Sequence, residues 1–347
     1  MIELVEKLEK QGSLSEKELT MLIEGRNEAG LSDFLFEKAR AVRERYYGKE
    51  IYVRGLIEFS NFCKNDCYYC GIRRSNKDVS RYRLSEDEIF ECCEKGYDLG
   101  FRTFVLQGGE DPWYDEKRIE SLVKGIKKRF GDCAVTLSVG EHPKEAYKRW
   151  FEAGADRFLL RHETADVVHY RALHPEELSL ENRKRCLYDL KEIGYQVGCG
   201  FMVGSPFQKT EHIVKDLLFI KDFSPDMVGI GPFIPCRNTP FEKEKAGTLE
   251  LTVFLLAVVR LMNPTVLMPA TTALASIDPV GREKGILAGA NVCMPNLSPQ
   301  AVRGKYNLYD GKANSGSEAA EALAELSESV KKIGYNVVIS RGDRIKA

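Results

Sequence analysis

The chain has 347 residues, 43% of them hydrophobic and 30% charged, a globular composition able to build a sizeable core. Lys and Arg number 51 against 52 Asp and Glu, so the net charge of −1 argues against a dedicated nucleic-acid or anionic-membrane surface. At this length either two average domains or one large α/β barrel is expected.

The N-terminus, MIELVEKLEKQG, is charged throughout and lacks the apolar core of a signal peptide. Leu4, Val5 and Leu8 recur at helical spacing, and Ser15 opens a second helical stretch toward Leu22 and Ile23. Residues 1–45 are expected as an N-terminal helical segment and 46–347 as the main domain. There, short β-rich runs alternate with amphipathic segments, the pattern of βαβ units on a parallel sheet. Strands are predicted to start at Ile51, Arg102, Ala134, Arg157, Gln196, Asp226, Thr265 and Asn291. Helices are predicted over 85–99, 115–130, 143–153, 179–193, 209–222, 248–262, 276–288 and 317–333, with 311–317 a loop. Eight strands each followed by a helix make a closed (βα)8 barrel of the TIM type; an open doubly wound sheet is the alternative. The greasiest stretch, 254–259, is cut off by Arg260 and is too short to span a bilayer, so a cytoplasmic protein is expected.

Ten cysteines in a reducing compartment point to metal binding or burial rather than disulfides. Seven are scattered and expected in the core. Cys63, Cys67 and Cys70 are clustered, with CxxxCxxC spacing, directly after the first predicted strand. In a barrel, chemistry gathers on the loops after the strands' C-terminal ends, where this triplet falls. Three thiolates on one loop can hold three irons of a cubane and leave the fourth open. The alternative is a zinc site completed from elsewhere; none of the five His residues is close in sequence, which favours the cluster.

On the fourth strand, alternation puts Arg157, Leu159, Arg161 and Glu163 on one face. Arg54 and Glu58 share a face of the first strand, and if it points inward the lumen is polar. Gly198, Gly200 and Gly204 alternate on the fifth strand, expected to admit something flat such as adenosine, with Met202 packing on it.

A strand, CxxxCxxC with Tyr69 before the third Cys, and a (βα)8 rhythm resemble the radical S-adenosylmethionine superfamily. The resemblance implies one 4Fe–4S cluster held by Cys63, Cys67 and Cys70, whose open iron chelates S-adenosylmethionine for reductive cleavage to a 5′-deoxyadenosyl radical. It further implies cofactor contacts from Tyr69, Gly108, Gly109, Glu110, Ser138, Glu163, Arg183 and Met202. Substrate contacts are expected from Arg54, Gln107, Arg161, Thr271, Thr272 and Tyr306.

Within the superfamily, the segments FSNFCKNDCYYCGIRRSN, LQGGEDPWYD, LLRHETAD, GPFIPCRNTPF, PATTALASIDP and RGKYNLYDG resemble the (FeFe)-hydrogenase maturases. That resemblance implies processing of a cysteine-bound Fe(CO)2(CN) precursor toward the two-iron subcluster. Partner maturases and an electron donor such as a ferredoxin or flavodoxin are implied, with no nucleic acid and no membrane. Some members carry another cluster on C-terminal cysteines; residues 297–347 contain none, so it is expected to be absent. The alternative is a mutase like methylornithine synthase, acting on an amino-acid-derived substrate.

Overall fold

The computed structural model describes residues 1–313 and 318–345. Three helices open the chain: α1 (Ile2–Gln11), α2 (Glu16–Glu24) and α3 (Leu31–Tyr47). Helix α2 starts at a capping box, in which Ser15 and Glu18 satisfy each other's backbone N–H groups. Eleven strands follow among the described residues. They are β1 (Glu50–Val53), β2 (Gly55–Ser60), β3 (Thr103–Gly108), β4 (Ala134–Ser138), β5 (Arg157–Leu159) and β6 (Gln196–Cys199). Then come β7 (Met202–Val203), β8 (Met227–Val228), β9 (Gly231–Pro232), β10 (Val292–Cys293) and β11 (Asn336–Val338).

The principal sheet is parallel, in the order β2-β3-β4-β5-β6-β8, with β10-β1-β11 and β7-β9 as smaller parallel sheets. Isolated parallel bridges join Met227 to Leu267, Pro269 to Val292 and Leu56 to Asn296. Strands β2, β3 and β4 are buried along nearly their whole length, as expected for a parallel sheet covered on both faces.

Four of the eight expected strands are altered. The first changes neighbours at Arg54 and counts as two strands, β1 pairing with β10 and β11, and β2 with β3. The fifth and sixth are each interrupted, at 200–201 and 229–230. The seventh, expected at 265–270, is no strand: Leu267 and Pro269 contribute only single bridges, because proline at 269 has no N–H to continue a ladder. Strand β11 was not expected.

The amphipathic helices lie within a residue or two of their expected bounds, except 276–288, which is two helices, Thr272–Ile277 and Gly281–Leu287. Of the loop expected at 311–317, residues 314–317 lie outside the described residues. Helix Leu249–Met262 is apolar all round because it is sandwiched, packing on α1 and α3 outside and β9 inside. Glu250 is exposed in its first turn, whereas Arg260 is fully buried and donates to the carbonyls of Gly289 and Pro264 and to Asn291 Oδ1. Among the described residues no helix is long and apolar enough to cross a membrane.

The segment after β11 reaches under the sheet, where buried Arg157 donates to Arg341 O and Asp343 Oδ1. Burial raises the Asp343 carboxyl, but Arg157, Arg341 and Gln196 outweigh it and hold it down at about 2. A lowered acid stabilises the fold above its unfolded pKa and loses that contribution as pH falls toward the folded one. Asp343→Asn should therefore cost about 1 kcal/mol at pH 7, discounted for its partial exposure, with the difference shrinking between pH 4 and 2. Urea unfolding of both proteins across that range checks it; a difference independent of pH would refute the assignment.

Candidate active site

Because the strands are parallel, their C-terminal ends share one edge, and the chain places its chemistry-bearing loops there. Serine, asparagine and phenylalanine at 60–62 leave β2, and the cysteine loop follows. Its path is held by backbone and side-chain bonds independent of the thiols. Lys64 N donates to Glu110 O, Tyr68 N to Leu173 O and Gly71 N to Leu308 O. Asp66 takes two bonds from Arg73 and two from Ser75.

Cys63, Cys67 and Cys70 are half-buried, free of disulfides, and line one cavity of about 340 Å³. The other seven cysteines are buried. Burial pushes the Cys67 thiol up to about 12 and that of Cys70 well above its ordinary range, so their thiolates need a bound cation for compensation. Among the described residues no three Cys, His, Asp or Glu converge on a single-ion position. Ligands of a cubane need not converge, since each takes a different iron.

The same cavity is lined by Tyr69, Gln107, Gly108, Gly109, Glu110, Ser138, Arg161, Glu163, Arg183, Met202, Thr271, Thr272 and Tyr306. Tyr69 Oη donates to His174 Nε2 at 3.0 Å; the imidazole's other nitrogen donates to Tyr170 O, which fixes the tautomer. At Gly109 a Cβ would stand 2.2 Å from Phe62 O, so only glycine lets β3's end pass beneath the cysteine loop. Glu110 accepts from Glu141 N at 3.0 Å and pairs with Lys64 at 3.2 Å. Arg183 is not on a solvated helix face: it is buried, pairs with Glu141 and points at the cavity. Glu163 stands at a left-handed φ of 65°, a conformation that costs a non-glycine residue on the order of 1 kcal/mol.

Two observations fit an anion-and-ammonium-bearing ligand here. Arg161 Nη2 lies 3.0 Å from Glu163 Oε2 without hydrogen-bond alignment, so both atoms retain bonding capacity. Thr271 Oγ1 is buried with no hydrogen-bond partner among the described residues.

A second cavity of about 540 Å³ shares Gln107, Arg161, Thr271, Thr272 and Tyr309 with the first and continues past Glu58, Asn296 and Lys312. Glu58 pairs with Lys312, not with Arg54.

Arg54 is a correction. It is fully buried at the opposite end of the sheet, in a void of about 10 Å³ with Thr136, Arg157 and Gly198, and it donates to Met227 Sδ and Gly342 O. The fifth-strand glycines are another. A Cβ at Gly200 would lie 2.0 Å from Gly229 O, at Gly198 2.7 Å from Leu159 Cδ1, and at Gly204 2.5 Å from Gly247 Cα. Their close neighbours are the protein itself. Glu141, His174, Tyr309 and Lys312 escaped the sequence reading; Tyr309 and Lys312 sit in the polar run after the eighth strand, the only signal for them.

A cysteine triplet at the strand ends of a parallel α/β sheet, above a cavity into which Glu110, Arg161, Glu163 and Arg183 face, defines a site of the radical S-adenosylmethionine class. The sequence profile described as the Radical SAM superfamily matches residues 57–220. The chain is 48% identical to the (FeFe)-hydrogenase maturase subunit HydE of Thermotoga maritima, over 89% of this chain and 88% of that one. It is 31% identical to 3-methylornithine synthase of Methanosarcina acetivorans, over 94% and 91%. The crystal structure of methylornithine synthase (PylB) superposes with a TM-score of 0.85 at 26% identity, covering 96% and 97% of the two chains. The chain belongs to the radical SAM superfamily and, within it, to the family of the hydrogenase maturase HydE. It is a radical SAM enzyme, and the superfamily implies a 4Fe–4S cluster and S-adenosylmethionine as its cofactors.

Proposed function

We propose that this protein acts in (FeFe)-hydrogenase maturation, converting a cysteine-bound Fe(CO)2(CN) precursor toward the two-iron subcluster. The observation that carries the reading is 48% identity to a hydrogenase maturase across nearly the full length of both chains. The mutase reading has 31% identity behind it.

Cys63, Cys67 and Cys70 would hold the cluster, leaving one iron open to S-adenosylmethionine. When bound, the reduced cluster supplies the electron that cleaves the sulfonium and releases a 5′-deoxyadenosyl radical. The chain's own residues bind and orient. Glu163 and Glu110 offer carboxylates to an ammonium group, Arg183 a guanidinium to a carboxylate, and Ser138 and Met202 frame the nucleoside. Gly108 and Gly109 line the cavity where β3 ends beneath the cysteine loop, and Tyr69, within that loop and held by His174, lines it too. Gln107, Arg161, Thr271, Thr272 and Tyr306 present donors to an anionic substrate in the lumen; Arg54 is left out.

The closed (βα)8 barrel belongs to the same reading, supported by the bridges from Met227 to Leu267, Pro269 to Val292 and Leu56 to Asn296. So does the division into an N-terminal helical segment and a barrel from residue 46. Partner maturases, a ferredoxin or flavodoxin as electron donor, and a cytoplasmic setting complete it.

The experiment is an anaerobic maturation assay with apo-hydrogenase and the other maturases, with or without this protein. Hydrogen evolution should require it. A reconstituted protein that cleaves S-adenosylmethionine yet never rescues hydrogenase would move the mutase reading forward.

A further inference from the structure

Glu163 stands at the apex of a three-residue turn just beyond β5, with Thr164 N donating to His162 O at 2.8 Å across it. Its φ of 65° is unusual for a side-chain-bearing residue, so something must hold the turn. Its own N–H donates to Gly200 O at 3.0 Å and its carbonyl accepts from Met202 N at 3.2 Å, which fixes the peptide groups on either side. Both flanks of the turn are tied to a single carboxylate on the helix Thr210–Phe223. Asp216 Oδ1 accepts from Ala165 N and meets His162 Nε2 at 3.2 Å. Gly200 N donates to His162 Nδ1 at 3.3 Å, so that nitrogen is the acceptor and the ring proton sits on Nε2, facing Asp216.

Asp216 and His162 have no solvent exposure, and neither lines the cavity that Glu163 lines. They touch no ligand position, and so the mechanism does not use them directly. A buried acid spending one oxygen on both sides of one strained turn is a costly arrangement unless the turn matters. Burial drives the imidazole well below its ordinary pKa and the carboxyl well above its own, toward a pair with little charge.

We propose that Asp216 and His162 are positioning residues that aim the Glu163 carboxylate at S-adenosylmethionine. The inference rests on the reading of Glu163 as a ligand of that cofactor, and the test separates the two.

Equilibrium dialysis of S-adenosylmethionine against the cluster-loaded protein is the readout, with iron and sulfide content and thermal unfolding measured alongside. Asp216→Leu, which removes the acceptor while keeping the branched shape, should weaken binding about 10- to 100-fold, the usual effect of losing an outer-shell partner. KM for S-adenosylmethionine should rise with it while kcat at saturation changes little. Asp216→Asn keeps an Oδ1 acceptor for both N–H groups and should bind within about threefold of the parent. A purely structural pair would not split KM from kcat in this way. If Asp216→Leu does not fold, His162→Leu and His162→Gln are read on the same scale, with the glutamine, which retains a donor toward Asp216, expected to bind better. Unaltered binding in a folded, cluster-bearing Asp216→Leu overturns the brace. Unaltered binding in Glu163→Gln overturns the reading beneath it instead.

Discussion

Cys67→Ala is expected to produce a folded protein that no longer cleaves S-adenosylmethionine. The loop bearing Cys67 keeps its path through bonds that do not involve the thiol, from Lys64 N, Tyr68 N, Gly71 N and the Asp66 carboxylate. Truncating a half-buried side chain in such a loop should cost less than about 1 kcal/mol of apo-protein stability. The site, in contrast, loses one of three ligands and has no fourth cysteine on the loop to substitute. Release of 5′-deoxyadenosine should fall by more than about 100-fold, beyond what losing an outer-shell partner costs, and iron content should drop with it. Cys236→Ala is the informative control. Its thiol lies close to the loop, 2.7 Å from where a Cβ on Gly71 would stand, but it is buried and bonded to Asp310. That variant should keep both cluster and cleavage. Full cleavage by Cys67→Ala, or its loss in Cys236→Ala with the fold intact, would mean the ligand set is wrong.

The contrast between these cysteines was legible because spacing in sequence and position after a strand carry chemical meaning, whereas proximity in space does not appear in a sequence. The same limit explains Arg54. Alternation put it on one face of the strand with Glu58 and left open which way that face points; in the structure Arg54 faces Thr136, Arg157 and Gly198. What alternation cannot report is depth along the strand. Arg54 sits near the bottom of its strand run and Glu58 four residues higher, so one joins the basal arginines and the other the cavity. The amphipathic helices were readable because a 3.6-residue period persists over three or four turns and caps such as Ser85 with Glu88 mark the starts. The two-residue strands β7 to β10 offer no period to read. The glycines of the fifth strand misled for a related reason: a missing side chain signals close approach but not by what, and here backbone fills the space. Strand β11 was visible as GYNVVIS, a glycine followed by β-branched residues, yet a count of eight strands left it without a place.

Glu58→Leu should be among the most damaging substitutions away from the cysteines. Glu58 is 1% exposed, accepts from Asn296 Nδ2 at 2.8 Å, and pairs with Lys312. Lys312 arrives 254 residues later and is itself nearly buried, with Tyr306 O as its other acceptor at 2.9 Å. Burial raises the Glu58 carboxyl above its ordinary range, with Lys312 and Asn296 offsetting that only in part. A raised acid favours the fold at low pH and loses that contribution as pH rises through its folded pKa. The ionised pair is thus a poor source of stability near neutrality, and its effect is to pin the segment carrying Tyr306, Leu308 and Tyr309 over the lumen they line. Removing one partner leaves an ammonium whose remaining acceptor among the described residues is the Tyr306 carbonyl, expected to cost about 3–5 kcal/mol. Adding Lys312→Met should recover most of it, because two apolar side chains of similar volume replace the buried pair at little net cost. Relative to the parent, the double variant should gain stability as pH rises above the ordinary carboxylate range. Denaturant unfolding of the parent, both single variants and the double variant measures the coupling. Additive losses in the double variant would show that Glu58 and Lys312 act independently, and the loop would then be held by other contacts.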